Sequence, residues 1–405
     1  MKRIYQIYRA AYANLPIGVW ILSLVVFINR SGSIVLFFMT LYLTRELEFS
    51  VAAAGRMISI YGFGALLGTY LGGWLSDVIG TKRVQLYSLI LTGIGFIILG
   101  TLDHPLPIGV MLFLLATAGE AFRPANATAI SEVCPPELRP RAYALNRLAI
   151  NLGITIGPAL GGFLARVNYN YLFWVDGLTC FIAGLVLWIF FRSLMPQHYE
   201  SSEQIGSMIQ RPWKDKIYLL ILILVFLNAL IFIQLFNTWP IYLRDFYSLL
   251  EDKIGLLVMV NALLIVLFEM PVIHKLEKSE HLRLIAIGAL LLSMGFAILP
   301  LGATFRFAIL TVVIWTIGEI MVFPLLTGFI SNRAPEKSRG KYLGMYNFSF
   351  ALAFVVGPVL GTTIYDFVSP MMLWFSCGLL GIVSYFGFRW AGKLTNYEKR
   401  SAENR

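Results

Sequence analysis

Four ionisable residues interrupt long apolar segments of the chain, and their side chains could bind a proton or a charged solute. They are Arg30, Glu120, Arg123 and Glu319. If such segments cross a membrane, each charge costs about 2.5–3.5 kcal/mol on insertion scales and needs a partner or a function. Glu120 and Arg123 are three residues apart, so they occupy neighbouring positions of a helix and can neutralise each other. Glu319 has no basic residue three or four positions away.

A carboxyl group that is removed from water favours its protonated form, which suits a group that binds and releases a proton near neutral pH. We therefore predict that Glu319, and secondarily Glu120, carry protons. Arg30 has two interpretations: it fixes helix packing by pairing with an acid, or together with Arg123 it holds an anion or carboxylate. Asp176 is interpreted as a structural residue.

The composition indicates lipid as the solvent of these segments. Hydrophobic residues make up 58% of the chain and charged residues 13%, whereas soluble domains carry about 25% charged residues. We predict an all-α membrane protein with twelve transmembrane helices, because twelve apolar runs are long enough to cross about 30 Å of hydrocarbon. These runs, called spans one to twelve, are 15–43, 51–74, 84–102, 106–131, 142–165, 169–191, 216–243, 254–273, 282–303, 306–331, 342–365 and 370–390.

An internal repeat divides the spans into two sets of six. The sequence Gly-Pro-Ala-Leu-Gly at 157–161 recurs as Gly-Pro-Val-Leu-Gly at 357–361, and Pro124 has a matching Pro324 at the same offset. We therefore predict two pseudo-symmetric six-helix bundles, 1–192 and 216–405, joined by a cytoplasmic linker over 193–215.

The distribution of Lys and Arg predicts the orientation. With both termini in the cytoplasm, 23 of these residues fall on the cytoplasmic side and five on the opposite side, as the positive-inside rule requires. This bias accounts for the net charge of +10 without a nucleic acid partner. We predict a monomeric multi-pass protein of the bacterial inner (plasma) membrane, surrounded by membrane lipids.

The loop between spans two and three has a spacing that suits a gate. Gly73 would let two helices approach closely, and Gly80 would permit a tight turn. Asp77 stands near Lys82 and Arg83, so an ion pair there could exist in one conformation and break in another. The alternative is a solvated loop.

This loop, Gly-Trp-Leu-Ser-Asp-Val-Ile-Gly-Thr-Lys-Arg-Val-Gln-Leu at 73–86, resembles the signature of the major facilitator superfamily. The resemblance covers the whole chain. It implies the major facilitator fold, in which the two halves rock around a central site lined by spans one, four, seven and ten. It also implies that Asp77 and Arg83 stabilise the outward-facing state.

Span five carries a stripe of small residues with an internal proline. Gly153, Gly157, Pro158, Gly161 and Gly162 are similar to the G-x-x-x-G-P-x-x-G-G motif of drug:proton antiporters in the superfamily. The alternative is a packing seam in which glycines let helices approach and the proline bends the helix.

The resemblance also suggests which further residues face a substrate. Span seven would contribute Gln234, Asn237 and Trp239, and span ten would contribute Trp315 one turn before Glu319. An aromatic, mostly apolar cavity with one or two acids suits lipophilic cations.

We therefore expect a proton-coupled secondary transporter that exports small amphipathic or cationic compounds, with no cofactor and no metal. The alternative is a transporter of a specific metabolite (a peptide, siderophore, lipid or organic anion) that binds a carboxylate through Arg30 and Arg123. The region around Arg30 faintly resembles proton-dependent oligopeptide transporters, but Val26 and Asn29 replace the two glutamates of that motif. A membrane enzyme is disfavoured because no nucleotide-binding, zinc-protease or serine-hydrolase motif occurs.

Overall fold

Long helices form nearly all of the chain that the computed structural model describes, which comprises residues 15–190, 212–276, 280–335 and 338–403. No strand occurs within these ranges. Residues 193–211 of the predicted linker lie outside them, and span seven begins at Lys216 after the short 3-10 helix Pro212–Lys214. The helices of the first six spans are Ile17–Ser31 with Val35–Arg45, Val51–Ile79, Thr81–Leu99, Pro105–Glu120 with Phe122–Val133, Arg139–Val167 and Asn170–Ile189. Those of the last six are Lys216–Phe232 with Ile233–Phe236 (3-10) and Thr238–Phe246, Glu251–Leu276, His281–Ala297, Phe305–Arg333, Arg339–Phe367 and Pro370–Glu403.

Every predicted span is helical, and the all-α membrane fold class is confirmed. Among the described residues, ten helices are long and apolar enough to cross a membrane. The two other predicted spans are the 26-residue helix Glu251–Leu276 and the 17-residue apolar helix His281–Ala297. Seventeen residues extend about 25 Å along a helix, close to the thickness of the hydrocarbon.

Span one is broken in its middle, and Asp176 of span six holds the break together. Its first helix ends at Ser31 and its second begins at Val35. The buried Asp176 carboxylate accepts hydrogen bonds from the backbone N–H groups of Ile34, at 3.1 Å, and Val35, at 2.9 Å. The first N–H groups of a helix have no partner within the helix, so Asp176 satisfies them where lipid could not. The interpretation of Asp176 as structural is confirmed.

Span two packs on span four through a glycine stripe that the sequence analysis missed. A Cβ atom on Gly64, Gly68 or Gly72 would collide with backbone atoms at Phe113, Thr117 and Ala121, respectively. Both series repeat every four residues, so matching faces of the two helices meet and the backbones approach closely.

The structure differs from the prediction at Gly73. Nothing lies within 4 Å of a Cβ atom built on Gly73, so this glycine is not the point of close helix approach. That role belongs to its neighbour Gly72, because successive residues of a helix point about 100° apart and only one of the two can face span four.

The described residues divide into two compact units, which differ from the predicted halves in one segment. The first unit contains 15–38 and 60–190, and the second contains 39–59 together with the described residues from 212 onward. In the first unit Val25, Leu89 and Ile130 belong to one apolar core. In the second unit Ile285, Val322 and Phe388 belong to another.

Segment 39–59 is joined to the rest of the second unit by polar contacts. Its contacts are an ion pair between Arg45 and Asp245, and hydrogen bonds from Thr40 Oγ1 to Asn237 O (3.0 Å), Ala52 N to Asp366 Oδ2 (2.7 Å) and Ser59 Oγ to Val355 O (2.6 Å). Arg45 and Asp245 are 200 positions apart, as are the two copies of the Gly-Pro sequence. The link between the end of span one and span seven therefore joins repeat-related positions.

The adjacent glycines give a matched test of helix approach. We expect Gly72→Ala to destabilise the protein by about 1–3 kcal/mol, because the new Cβ collides with the backbone at Ala121 and forces two helices apart. Gly73→Ala should be neutral or stabilising by up to about 1 kcal/mol, because alanine is the better helix former. Thermal unfolding of the two purified variants in detergent measures both effects, and equal shifts would contradict the assigned contact.

Candidate functional site

Glu319 lies in a polar cluster between spans eight and ten of the second unit. Its Oε2 accepts a hydrogen bond of 2.9 Å from Asn261 Nδ2. The same amide nitrogen lies 3.0 Å from Thr316 Oγ1, one turn before Glu319. The Thr316 hydroxyl donates to the carbonyl of Val312 at 2.6 Å. Both hydrogens of the Asn261 amide are therefore used, one on the carboxylate and one on the hydroxyl oxygen.

This arrangement suits a carboxyl group that changes its charge. Glu319 is partly buried, and no Lys or Arg lies within ion-pair distance of it among the described residues. Asn261 stabilises the ionised form through its N–H, and Glu269 of span eight adds a second carboxylate within electrostatic range. The site thus combines a carboxyl group, an amide donor and a second acid nearby, without a described cation.

Glu319 was predicted from the sequence, but its hydrogen-bond partners were not. The signal was available, because Asn261 and Thr316 are polar residues within apolar spans. Their pairing was not evident, because one sequence does not show which faces of spans eight and ten meet.

Trp315 lies in the packed interior of the second unit, whereas the sequence predicted that it faces a substrate. It is fully buried, and its ring stacks on Phe296 with the ring centres 5.5 Å apart. Phe296 in turn stacks on Trp374 at 6.1 Å. Trp239 is also fully buried. Large aromatic rings bury extensive apolar area, and here that area stabilises helix packing.

Gln234 and Asn237 are also placed differently from the prediction, since they support the interruption of span seven. The Gln234 amide donates to the carbonyls of Gly357 and Leu230, both at 3.1 Å, and accepts from the Thr238 hydroxyl at 2.9 Å. Asn237 donates to the carbonyl of Ile233 at 2.7 Å. Both side chains are buried, and they bind backbone and neighbouring groups because the change from α-helix to 3-10 helix leaves polar groups that lipid cannot satisfy.

The first unit holds a second polar site around Arg30. A cavity of about 50 Å³ is lined by residues that include Arg30, Tyr61, Thr92 and Glu120. Tyr61 lies within electrostatic range of both Arg30 and Glu120, and the buried Thr92 hydroxyl has no hydrogen-bond partner among the described residues. A polar cavity of this size can hold a water molecule. Neither Tyr61 nor Thr92 was predicted.

Glu120 and Arg123 form the pair that their spacing predicted, but the pair is open to solvent or lipid. Arg123 Nη1 lies 3.4 Å from Glu120 Oε2, and the two side chains are 68% and 16% exposed, respectively. Exposed pairs at this spacing contribute about 0.3–0.5 kcal/mol, so the contact leaves Arg123 able to turn to another anion.

The loop after span two contains the turn that was predicted, without the predicted ion pair. Gly80 has a φ of 89°, which confirms that the turn needs glycine. Asp77 is exposed, and among the described residues it makes no ion pair with Lys82 or Arg83. Instead, the Thr81 hydroxyl donates to Glu132 Oε2 at 2.7 Å, and Lys82 lies within electrostatic range of the same carboxylate. Glu132 of span four is thus an acid of this corner that the sequence analysis overlooked.

The small residues of span five pack on span one. Gly153 faces Arg30, Gly157 faces the backbone of Ser31, and Gly161 faces the side chain of Ile34. Pro158 lies inside an unbroken 29-residue helix, and Gly162 is buried. These glycines thus pack on span one, and one of them contacts the arginine at the polar cavity.

Comparisons with known proteins agree with this architecture. The family model of the Major Facilitator Superfamily matches residues 19–358, so the chain belongs to this family of membrane transporters. The "Na(+), Li(+), K(+)/H(+) antiporter" of Planococcus maritimus is 25% identical, over 93% of this chain and 96% of the relative. The "Multidrug resistance protein MdtH" of Proteus mirabilis is 23% identical, over 78% and 79% of the two chains, respectively.

Solved structures of the same fold are more distant in sequence. A peptide transporter of the POT family in complex with sulfate is 16% identical with a TM-score of 0.77, over 95% of this chain and 96% of that chain. The nucleoside transporter NupG is 14% identical with a TM-score of 0.75, over 93% and 99% of the two chains, respectively. At these identities the likeness shows the shared fold.

The new placement of Gln234 can be tested. We expect Gln234→Met to destabilise the protein by about 1–3 kcal/mol, because the carbonyl of Gly357 and the hydroxyl of Thr238 lose a buried partner. Asn332→Met, at an exposed position of span ten, is the control and should unfold at the wild-type temperature. If Gln234→Met leaves thermal stability unchanged, its hydrogen bonds do not support span seven.

Proposed function

We propose that this transporter is a proton-coupled antiporter that exports small cationic or amphipathic compounds. The observation that carries the proposal is the carboxyl group of Glu319, which lies in a membrane span, has no described basic partner and is hydrogen-bonded by Asn261. Two relatives, which are named as an antiporter and a multidrug resistance protein, support the same class of activity.

Antiport follows from competition for one carboxylate. When Glu319 is ionised, its charge attracts a cation. When it accepts a proton, the charge disappears and the cation is released. One direction of the cycle therefore moves the cation and the other moves the proton, provided that the site opens to one side of the membrane at a time. Asn261 keeps the carboxylate oriented in the ionised form through its N–H.

The first unit would contribute gating and a second titratable group. We propose that Asp77 pairs with Lys82 or Arg83 in an alternative conformation, because opposite charges share one short turn whose glycine has a positive φ. Glu120 would carry a proton in the cavity that contains Arg30 and Tyr61. In this proposal the protein is a monomer of the bacterial inner membrane with both termini in the cytoplasm.

A specific observation also favours the second candidate, transport of an anionic metabolite. Arg30 faces a cavity in which the Thr92 hydroxyl lacks a partner, and Arg123 is only loosely held by Glu120. An arginine and a hydroxyl group are donors that can recognise a carboxylate. Competition experiments distinguish the two candidates. If the protein exports cations, added cations should slow the flux of a labelled cation and added carboxylates should not. If it carries an anionic metabolite, added carboxylates should slow the flux of a labelled carboxylate and added cations should not.

Removal of the charge on Glu319 tests the proposal. In everted vesicles with an acidic lumen, we expect wild-type protein to release protons when a substrate cation is added, as reported by a pH-sensitive dye. Glu319→Gln should abolish this release, because glutamine cannot exchange a proton. Glu280→Gln, an exposed acid before span nine, is the matched control and should behave as wild type. Full proton release by Glu319→Gln would refute the assignment.

A change of Asn261 tests the hydrogen bond itself. We expect Asn261→Ala to move the pH dependence of cation export to higher pH, because a hydrogen bond that favours the ionised carboxylate is lost. Export activity measured between pH 6 and pH 9, with Asn332→Ala as a control at an exposed position, reports the shift. An unchanged profile would show that Asn261 does not tune Glu319.

A further inference from the structure

The carboxyl-terminal end of span twelve has a basic and aromatic surface that neither the proposed transport site nor the gate uses. A cavity of about 390 Å³ is lined by Tyr385, Phe386, Arg389, Trp390 and Lys393. All five belong to one helix, so this surface, called here the span-twelve groove, does not depend on how other parts of the chain are arranged.

The length of the helix places the groove at the level of the lipid head groups. The helix Pro370–Glu403 has 34 residues, which extend about 51 Å, whereas the hydrocarbon layer measures about 30 Å. If the hydrocarbon begins at Pro370, it ends about 20 residues later, next to Arg389 and Trp390. Tryptophan at this depth is typical of membrane interfaces.

The groove lies on the face of the helix that points away from the protein. Phe388 and Ala391 are fully buried in the core of the second unit. By contrast, Phe386 is 65% exposed and Trp390 is 57% exposed, and Leu379, two turns before Phe386, is 63% exposed. An apolar strip therefore leads directly into the two basic residues.

Two acids at this end of the unit, Asp215 and Glu398, are engaged with another arginine. Arg333 binds Asp215 with two hydrogen bonds of 2.8 and 2.7 Å, and it contacts Glu398 at 3.2 Å. Among the described residues, neither Arg389 nor Lys393 lies within ion-pair distance of a carboxylate. The groove thus presents two positive charges one helical turn apart, with no carboxylate partner among the described residues.

We propose that the span-twelve groove binds an anionic phospholipid. Its phosphodiester would lie between the Arg389 guanidinium and the Lys393 ammonium, and one acyl chain would follow Phe386 and Leu379. Inorganic phosphate would gain nothing from the apolar strip. A choline head group would bring a cation next to two others, so a lipid with net negative charge fits best. Basic residues at this level of a membrane protein attract anionic lipids by such contacts.

Lipid retention measures the proposal directly. The full-length protein is purified in detergent, titrated with phosphatidylglycerol or phosphatidylcholine, and examined by native mass spectrometry. We expect phosphatidylglycerol to bind the wild type preferentially. The double variant Arg389→Gln/Lys393→Gln should bind it about 30-fold more weakly, since each basic residue contributes about 1 kcal/mol.

A second double variant distinguishes a specific lipid-binding site from general electrostatic attraction. Arg283 and Lys341 are exposed basic residues of the same unit, so Arg283→Gln/Lys341→Gln makes the same change in net charge and should retain phosphatidylglycerol as wild type does. Equal weakening by the two double variants, equal binding of the two lipids, or displacement of phosphatidylglycerol by millimolar inorganic phosphate would each overturn the proposal. Wild-type thermal stability of the Arg389→Gln/Lys393→Gln protein in lipid-free detergent confirms that the variant is folded.

Discussion

The structure depends on one constraint: a polar group inside the membrane must find its partner within the protein, because hydrocarbon offers none. Where a span is an unbroken helix, the backbone satisfies itself. Where a span is interrupted, side chains replace the missing bonds, as Asp176 does for span one and Gln234 does for span seven. The same requirement explains the hydrogen bond between Asn261 and Glu319. The Thr92 hydroxyl has no partner among the described residues, so a bound molecule or water can satisfy it.

The internal repeat preserves close contacts more strictly than it preserves chemistry. Gly161 of the first unit faces Ile34, and Gly361 of the second faces Gln234. The two glycines are 200 positions apart, and so are the two residues that cover them. The close approach therefore recurs in both units, although the residue that contacts the glycine is apolar in the first unit and polar in the second. Such a scaffold tolerates different polar groups in its two halves, so one half can carry an acid that the other lacks.

Those parts of the fold that follow from local properties were predictable. The spans depend on the length and composition of apolar runs, and the turn at Gly80 depends on the conformational freedom of one residue. The environment of Trp315 was not predictable, because lipid and protein core are both apolar and a membrane helix shows no polar face that marks its outside. For the same reason the sequence did not show that Gly72, and not Gly73, is the glycine at which the two helices approach closely.

The lipid solvent, the helical spans, the repeat, the family signature and the isolated acid Glu319 could all be identified from the sequence, because each depends on the types and spacing of nearby residues. The partners of the polar residues, by contrast, became visible only in the folded structure. These partners depend on which helix faces meet, as when Asn261 reaches Glu319 across 58 positions of the chain. Such a meeting is a property of packed helices, and no local pattern encodes it.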